Sequence, residues 1–179
     1  WLFMPTVCAQ KVGLVLSGGG AKGLTHIGII RALEENNIPI DYITGTSMGA
    51  IIGSLYAMGY SPDDMEELLK SEDFKRWYSG QIEEKYVYHF KKNVRATASC
   101  KGDFDKLFVP FRCIASDVYN KKQLVMRNGD LGDAVRASMS FPFMFKPIEI
   151  DNVLAYDGGI YNNFPTDVRR DDFHPDIII

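Results

Sequence analysis

The sequence has little of what marks metal, disulfide or nucleic-acid proteins. It holds three cysteines and three histidines, and no two cysteines form a CxxC pair, so neither a zinc site nor a disulfide framework is indicated. Its net charge of −3 gives no reason to expect nucleic-acid binding. No run is long and apolar enough to span a bilayer. What remains, 179 residues of which 46% are hydrophobic, suits one globular domain.

The first ten residues differ from the rest. Residues 1–9 are apolar and end in Val7-Cys8-Ala9, which resembles the tail of a secretory signal peptide with its cleavage site. We therefore predict a signal-peptide remnant over 1–10, a single domain over 11–179, and an exported, periplasmic or outer-membrane-associated protein. The alternatives are a disordered or edge-strand N-terminus and a cytoplasmic location. The break at Ile179, inside a predicted strand, favours a domain that continues further.

Strand and helix patterns alternate in the first half of the chain. The apolar run Val12–Leu16 ends in a glycine cluster, which is typical of a buried parallel strand, and residues 42–44 predict a second strand. Residues 24–37 predict a helix with one apolar face, formed by His26, Ile29, Ile30 and Leu33. Residues 48–58 are apolar or small all round, which predicts a helix buried on every side.

The second half predicts strands at 108–116 and 123–126, a helix at 130–139, and a hairpin that leads to Asp157. Together these patterns predict an α/β fold, a three-layer domain with a mainly parallel central sheet flanked by helices. Ligands of such sheets collect beyond the carboxyl ends of the strands. We expect both glycine turns and Asp157 at that edge.

A candidate nucleophile, Ser47, stands between a predicted strand and a predicted helix. It is the centre of a G-x-S-x-G pattern flanked by Gly45 and Gly49. A sharp strand-to-helix turn exposes the central hydroxyl near a helix N-terminus, and small neighbours relieve the crowding. Because of this placement, a catalytic serine is favoured over an ordinary tight turn.

The first glycine turn presents bare backbone N–H groups. It consists of Gly18, Gly19, Gly20, Ala21, Lys22 and Gly23. A Rossmann-type nucleotide-binding module would need an acidic residue at the end of the next strand, where the chain has Thr44-Gly45. A P-loop would need Ser or Thr after Lys22. An oxyanion hole is therefore favoured, with a cofactor loop and a structural turn as alternatives.

The residues leave two candidates for the general base. A Ser-His-Asp carboxylesterase of this motif class would use His174, which follows Asp157 in the chain, although its polar surroundings favour a solvated loop. His26 is interpreted as a core histidine that steadies the glycine loop. Asp157, before Gly158 and Gly159, is either the base or an ordinary Asp-Gly turn. An aspartate needs a raised pKa for general-base work, which burial would supply.

Four blocks of the sequence resemble the patatin-like phospholipases, in order. They are Gly18 to Gly23, Gly45 to Gly49, Ala137 to Phe145, and Asp157-Gly158-Gly159. The resemblance runs from about Lys11 to Ile179. It implies hydrolysis of lipid acyl esters by a Ser47–Asp157 dyad without histidine, with the first glycine loop as oxyanion hole and with no cofactor or metal.

The same resemblance implies a phospholipid or lysophospholipid substrate and transient contact with a membrane surface. Two departures from the family pattern are visible. Lys22 stands where family members often carry Arg, and the segment between about Phe90 and Phe104 is shorter than expected, since lid and helical elements usually lie there.

Overall fold

The structure, a computed structural model, describes residues 10–72, 74 and 102–179. Across these ranges the strands are β1 (Val12–Leu16), β2 (Tyr42–Thr46), β3 (Phe111–Asp117), β4 (Lys122–Met126), β5 (Ile148–Ile150), β6 (Val153–Asp157) and β7 (Ile177–Ile178). The α-helices are α1 (Thr25–Glu35), α2 (Met48–Ala57), α3 (Pro62–Lys70), α4 (Leu131–Ser138) and α5 (Thr166–Phe173). Short 3₁₀ turns lie at Gly20–Leu24, Phe104–Lys106 and Gly158–Ile160.

Local signals place most of these elements. The strand predicted at Val12–Leu16 is confirmed, and all five of its residues are buried. The helix predicted at 48–58 is confirmed as α2, and every one of its residues is buried. The predicted inward face of α1 is wrong at Ile29, which is 47% exposed, because Ile27, Ile30 and Leu33 form the buried face instead. At 100° per residue, Ile29 points away from that face.

The sheet joins a parallel part to an antiparallel part. Its order is β5-β6-β3-β2-β1-β7, and β4 also pairs with β3. The pairs β1–β7, β1–β2 and β2–β3 are parallel, whereas β3–β4, β3–β6 and β5–β6 are antiparallel. The glycine loop and the Ser47 turn therefore leave the carboxyl ends of two adjacent parallel strands, β1 and β2.

Alternating side chains distribute the strands between two helical layers. In β1, Leu16 packs under Gly49 of α2, while the backbone of Gly13 lies against Arg169 of α5. In β2, Ile43 contacts Gly53 of α2, whereas Tyr42 on the opposite face stacks with Phe173 of α5. The predicted three-layer α/β fold is thus confirmed, with α2 and α5 on opposite faces of the sheet.

The central strand β3 has three partners although a strand has only two sides. Cys113 and Ile114 pair with both β2 and β4, and Ala115 to Asp117 pair with both β4 and β6. Since β4 overlaps both of the others, it takes one side of β3, and β2 and β6 share the other. They run in opposite directions and end at adjacent rungs, Thr46 at Ile114 and Asp157 at Ala115.

The core lies between the sheet and the layer that contains α1, α2 and α4. Cys113 is fully buried there. No helix in the described ranges combines the length and the hydrophobicity that crossing a membrane requires. The signal-peptide remnant predicted over 1–10 lies, except for its last residue, outside the described residues, as does most of the segment between 90 and 104. Those interpretations and the domain bounds stay predictions.

Candidate active site

Ser47 and Asp157 meet where β2 and β6 end against each other. Ser47 follows the last residue of β2, and Asp157 is the last residue of β6. The Ser47 hydroxyl donates a hydrogen bond to Asp157 Oδ2 at 2.7 Å, although 110 positions separate the two residues. The expectation that both lie at the carboxyl edge of the sheet is met, and Asp157 reaches it on an antiparallel strand.

The backbone at Ser47 has the strained geometry expected of a nucleophile turn. Its φ of 52° lies in a region that non-glycine residues rarely adopt. A Cβ at Gly45 would lie 2.5 Å from the carbonyl oxygen of Gly49, and one at Gly49 would lie 2.2 Å from that of Leu16. Both flanking glycines are therefore required by sterics, as the motif predicts. Ser47 caps α2, so its hydroxyl lies at the positive end of that helix.

The end of α4 holds the backbone of both dyad residues. The Ser138 hydroxyl accepts a hydrogen bond from the Ser47 N–H at 2.8 Å and donates its own proton to the Ile114 carbonyl. Two residues later, the Ser140 carbonyl accepts the N–H of Asp157 at 3.0 Å. The Ser47 N–H is thus occupied within the protein.

The Asp157 carboxylate is buried. Only 5% of the residue is exposed. Burial raises the pKa of Asp157, and the hydrogen bonds from the Ser47 hydroxyl and the Gly159 N–H oppose that shift only in part. A carboxylate with a raised pKa accepts a proton more readily at neutral pH than an exposed aspartate does. This is the property that general-base work requires.

Asp157 is held by the turn that follows it. Its Oδ1 accepts the Gly159 N–H at 2.7 Å. A Cβ at Gly158 would lie 2.3 Å from the Ile114 carbonyl oxygen, so only glycine allows the turn to pass this close to β3. The two glycines after Asp157 therefore position the carboxylate rather than simply relax a loop.

The first glycine loop keeps some of its N–H groups free. The Gly18 N–H donates to the Asn163 carbonyl, and the Lys22 N–H donates to the Gly19 carbonyl. The Gly19 and Gly20 N–H groups have no acceptor within the described ranges. Gly23 is packed against Met48 of α2, where a Cβ would lie 2.6 Å from that of Met48. Of the six residues predicted for the oxyanion hole, Gly19, Gly20 and Ala21 therefore have N–H groups without an acceptor in the described ranges.

The glycine loop lies next to the dyad. A Cβ at Gly18 would lie 3.1 Å from the Cβ of Ser47 and 2.4 Å from Asn163 Oδ1. The Asn163 side-chain amide also donates to the Gly18 carbonyl at 3.3 Å. Asn163 therefore ties the loop before α1 to the chain that follows the Asp157 turn.

Two of the three histidines, His26 and His174, lie in the described ranges. His26 Nε2 lies 2.9 Å from the Ser17 carbonyl oxygen, so it steadies the glycine loop as interpreted from the sequence. His174 is exposed and follows α5, three residues before β7, which pairs with the amino end of β1. The five residues of β1 span roughly 16 Å at about 3.3 Å each, which separates His174 from the carboxyl edge. The structure therefore does not bring it to Ser47.

The Rossmann-type alternative also lacks its main requirement. The strand after the glycine loop, β2, ends in Gly45-Thr46, and the Thr46 hydroxyl donates to the Asn162 carbonyl. No carboxylate stands there to bind a ribose. The loop itself continues as a 3₁₀ turn, and α1 begins only at Thr25.

Three positioning residues were missed by sequence reasoning: Ser138, Ser140 and Asn163. The first two lie in the block Ala137 to Phe145, which was noted only for its resemblance. Asn163 follows Asp157 by six residues, and an asparagine in a polar stretch carries no signal of its own. All three act through contacts with residues at least 17 positions away, which local patterns do not encode.

Comparisons with known proteins find relatives over most of this chain. The sequence model of the patatin-like phospholipase family matches residues 14–169. The patatin-like phospholipase domain-containing protein ZK370.4 of Caenorhabditis elegans is 35% identical over 176 residues, 90% of this chain and 13% of that protein. Lysophospholipase NTE1 of Cryptococcus neoformans is 31% identical over 187 residues, 97% of this chain and 11% of that protein. This chain thus spans only a small part of these relatives.

A bacterial relative and two solved structures extend the likeness. An NTE family protein of Mycobacterium bovis is 30% identical over 96% of this chain and 30% of its own length. VipD of Legionella pneumophila has a TM-score of 0.65 and 17% identity, covering 87% of this chain and 47% of VipD. ExoU of Pseudomonas aeruginosa, solved with SpcU, has a TM-score of 0.51 and 17% identity over 83% of this chain and 43% of the solved chain. The likeness to these solved structures supports the fold. Because the family model matches most of the sequence, the chain belongs to the patatin-like phospholipase family.

Proposed function

We propose that this chain is a serine lipid acyl hydrolase that cleaves fatty acyl esters of phospholipids or lysophospholipids with a Ser47–Asp157 dyad. The observation that carries the proposal is the 2.7 Å hydrogen bond from the Ser47 hydroxyl to Asp157 Oδ2. Membership of a phospholipase family supports ester hydrolysis, and the lysophospholipase name of the fungal relative supports a lipid substrate.

In the first half-reaction, the Ser47 hydroxyl oxygen attacks the acyl carbonyl carbon while Asp157 Oδ2 takes the hydroxyl proton. The carbonyl oxygen becomes an oxyanion, which the N–H groups of Gly19 and Gly20 bind. When the C–O bond to the alcohol breaks, Asp157 returns its proton to the departing oxygen. The products are the free alcohol, such as a lysophospholipid, and an acyl ester on Ser47.

In the second half-reaction, water replaces the alcohol. Asp157 takes a proton from the water as it attacks the acyl ester, and returns that proton to the Ser47 oxygen when the fatty acid leaves. One carboxylate thus serves both halves as base and then as acid. Its raised pKa suits both roles, because a strongly acidic carboxyl would accept a proton poorly.

The surrounding backbone supplies the electrostatic part of catalysis. The positive end of α2 lies at Ser47, where negative charge develops during attack. Losing a single oxyanion donor typically costs about 3–4 kcal/mol of transition-state stabilisation. The hydrogen bond from the Ser47 N–H to the Ser138 hydroxyl fixes the Ser47 backbone, and in this proposal the N–H groups of the glycine loop bind the oxyanion.

Lipid substrates also imply a membrane surface, because phospholipids reside in bilayers. We propose that the chain contacts such a surface transiently while it acts. The dyad contacts only the ester group, so it does not determine the preference for head group, acyl position or acyl length.

The test is hydrolysis of a fluorogenic acyl ester by the Ser47→Ala variant. We expect a loss of turnover on the order of 10⁴-fold or more, since nothing else described replaces the nucleophile. Thermal unfolding of the variant should match that of the parent. A matched His174→Asn variant should keep its activity, whereas a Ser-His-Asp esterase would lose it. Unchanged turnover in Ser47→Ala would refute the proposal.

The lipid class is tested with a mixed panel of diacyl phospholipids and lysophospholipids. Products are identified by mass spectrometry, with Ser47→Ala as the blank. Release of fatty acid from at least one phospholipid class, absent from the blank, is the expected result. Hydrolysis of the fluorogenic ester without any release from the panel would restrict the activity to simple carboxylic esters.

A further inference from the structure

Large apolar side chains on the segments that hold the dyad face solvent. They are six side chains that are each at least 41% exposed: Phe141, Phe143, Met144, Ile160, Tyr161 and Phe164. We call this set the rim patch. We propose that the rim patch docks on the surface of a bilayer that contains anionic lipid, with Phe143 inserted furthest, an inference that rests on the proposed function.

The rim patch is tied to the site by the backbone. Phe141 directly follows Ser140, whose carbonyl accepts the Asp157 N–H. Ile160 directly follows Gly159, whose N–H binds the Asp157 carboxylate. Phe164 directly follows Asn163, which hydrogen-bonds Gly18. Every member therefore lies within four residues of a group that contacts the dyad or the glycine loop.

Phe143 is held in a conformation that a folded chain would otherwise avoid. Its φ is 70°, in the left-handed region where a bulky residue is a genuine outlier. Its side chain is fully exposed, so no burial within this chain offsets the strain of that backbone conformation. Asparagine or glycine would fit the same backbone with less strain. A phenylalanine that strains the fold and touches only solvent fits a role outside the fold.

The charge around the rim fits an anionic surface. The three segments that build it are residues 17–26, 138–147 and 158–166. They contain two lysines, Lys22 and Lys146, both exposed, and no Asp or Glu, although 23 of the 179 residues of this chain are acidic. Apolar side chains together with lysines are the combination that interfacial binding to anionic lipid requires. The acidic residues that directly adjoin these segments are Asp157, which is buried, and Asp167, whose carboxylate accepts hydrogen bonds from Asn162 and Gln123.

A bilayer fits this rim better than a protein partner because of where the rim lies. A lipid substrate must leave the bilayer to reach Ser47, and contact around the opening shortens that path. A protein bound at the same place would cover the dyad that the proposed function uses.

The test measures vesicle binding without turnover. The parent is the Ser47→Ala chain, sedimented with unilamellar vesicles of phosphatidylcholine, with or without phosphatidylglycerol. We expect binding that is stronger with phosphatidylglycerol. Adding Phe143→Asn should weaken binding about tenfold or more, as expected for removal of one inserted aromatic side chain. The same substitution should raise the melting temperature, because asparagine tolerates the positive φ.

Phe108→Asn is the matched control. Phe108 is 75% exposed and precedes β3, at the amino edge of the parallel strands, away from the dyad. Its substitution should change vesicle binding by less than twofold. Equal losses in both variants, or no binding of the parent to either vesicle, would overturn the proposal. So would a parent that sediments as a dimer and becomes a monomer only with Phe143→Asn, since a second copy would then cover the rim.

Hydrolysis of a short-chain soluble ester separates this inference from the proposed function. With Ser47 restored, Phe143→Asn should leave that hydrolysis unchanged, since Phe143 contacts neither the dyad nor the glycine loop. Loss of soluble-ester hydrolysis in Phe143→Asn would assign the rim to the chemistry and overturn the docking role. A chain with Ser47 that hydrolyses no ester refutes the proposed function, while vesicle binding still decides the docking surface.

Discussion

Two buried charged residues, Asp157 and Arg169, lie at opposite edges of the same sheet. Asp157 is 5% exposed at the carboxyl edge, and its carboxylate accepts hydrogen bonds from the Ser47 hydroxyl and the Gly159 N–H. Arg169 is fully buried at the amino edge, and none of its side-chain nitrogens has a hydrogen-bond partner within the described ranges. Burial lowers the pKa of Arg169 to about 9, so the guanidinium is still charged at neutral pH.

The surroundings of Arg169 are aromatic. Its guanidinium lies 4.8 Å from the ring centroids of both Tyr42 and Phe173. Gly13 provides the space, since a Cβ there would lie 2.1 Å from Arg169 Nε. Cation–π contacts replace hydrogen bonds here. Burial alone therefore does not mark a reactive group: Asp157 has a proton donor at hydrogen-bond distance, whereas the Arg169 guanidinium lies against aromatic rings and has no hydrogen-bond partner in the described ranges.

The largest effect is expected from Asp157→Asn. An amide cannot take the Ser47 proton, so kcat should fall by about 10⁴-fold, as in other hydrolases that lose the acidic member of their site. The free energy of unfolding should stay equal or rise, because the substitution removes a buried carboxylate. Steady-state kinetics and urea unfolding measure the two quantities. An Asp157→Asn protein that keeps its activity would show that Asp157, like Arg169, has no role in catalysis.

A smaller effect is expected from Asn163→Ala. The variant loses the side-chain hydrogen bond to the Gly18 carbonyl but keeps the backbone one, so the glycine loop should remain near the dyad but less well fixed. We expect kcat to fall about tenfold, the equivalent of one hydrogen bond, while KM changes little. Kinetics and thermal unfolding together check this result. A fall in stability with unchanged kcat would assign Asn163 to the fold alone.

The pH dependence of activity and that of stability should have opposite signs. Because burial raises the pKa of Asp157, kcat/KM should increase about tenfold per pH unit up to that raised pKa and then level off. The folded protein binds this proton more tightly than the unfolded chain does. The stabilisation that the protonated carboxyl gives is therefore lost as pH rises from the ordinary aspartate range through the raised pKa.

The matched measurement for the stability part is the difference between the parent and Asp157→Asn. Other carboxylates, such as Asp172 beside Arg127 and Arg112, have lowered pKa values and change overall stability in the opposite direction. They contribute equally to both proteins and cancel in the difference. A difference that does not vary with pH would contradict a raised pKa at Asp157.

The smallest effect is expected at the amino edge. Arg169→Met keeps a long apolar side chain against the stacked rings of Tyr42 and Phe173 and removes a buried charge that has no hydrogen-bond partner within the described ranges, so the free energy of unfolding should rise by about 1–2 kcal/mol. Arg169→Lys, the control, keeps the charge and loses the planar stacking, and should be destabilising. Neither should change kcat, and urea unfolding with ester kinetics measures both. Loss of activity in Arg169→Met would show that the two edges are coupled.

Much of the fold and part of the site could be predicted from local patterns. The strand at Val12–Leu16, the buried helix α2 and the strained turn at Ser47 all depend on neighbouring residues, which a sequence shows directly. The pairing of Ser47 with Asp157 followed from the resemblance to a family, because their contact joins positions 110 apart.

The remaining features depend on tertiary contacts. The Ser138 hydroxyl reaches the Ser47 N–H across 91 positions, and Asn163 reaches Gly18 across 145. The prediction that Ile29 faces the core was wrong. Ile29 and Ile30 are both apolar, and which of them faces inward depends on the elements packed against the helix. The burial of Arg169 has no local signal, since it depends on the space that Gly13 leaves in β1.

Because β2 and β6 lie end to end along one side of β3, β3 sets the distance between Ser47 and Asp157. Both strands are positioned by their pairing with β3. The distance between the Ser47 hydroxyl and the Asp157 carboxylate therefore does not depend on the length of the connecting loops. Both residues of the Asp151-Asn152 turn are exposed and have positive φ angles. Residues inserted there should lengthen the hairpin and leave the distance between Ser47 and Asp157 unchanged. Deletion of one residue between Val153 and Asp157 would turn the carboxylate to the far face of the sheet.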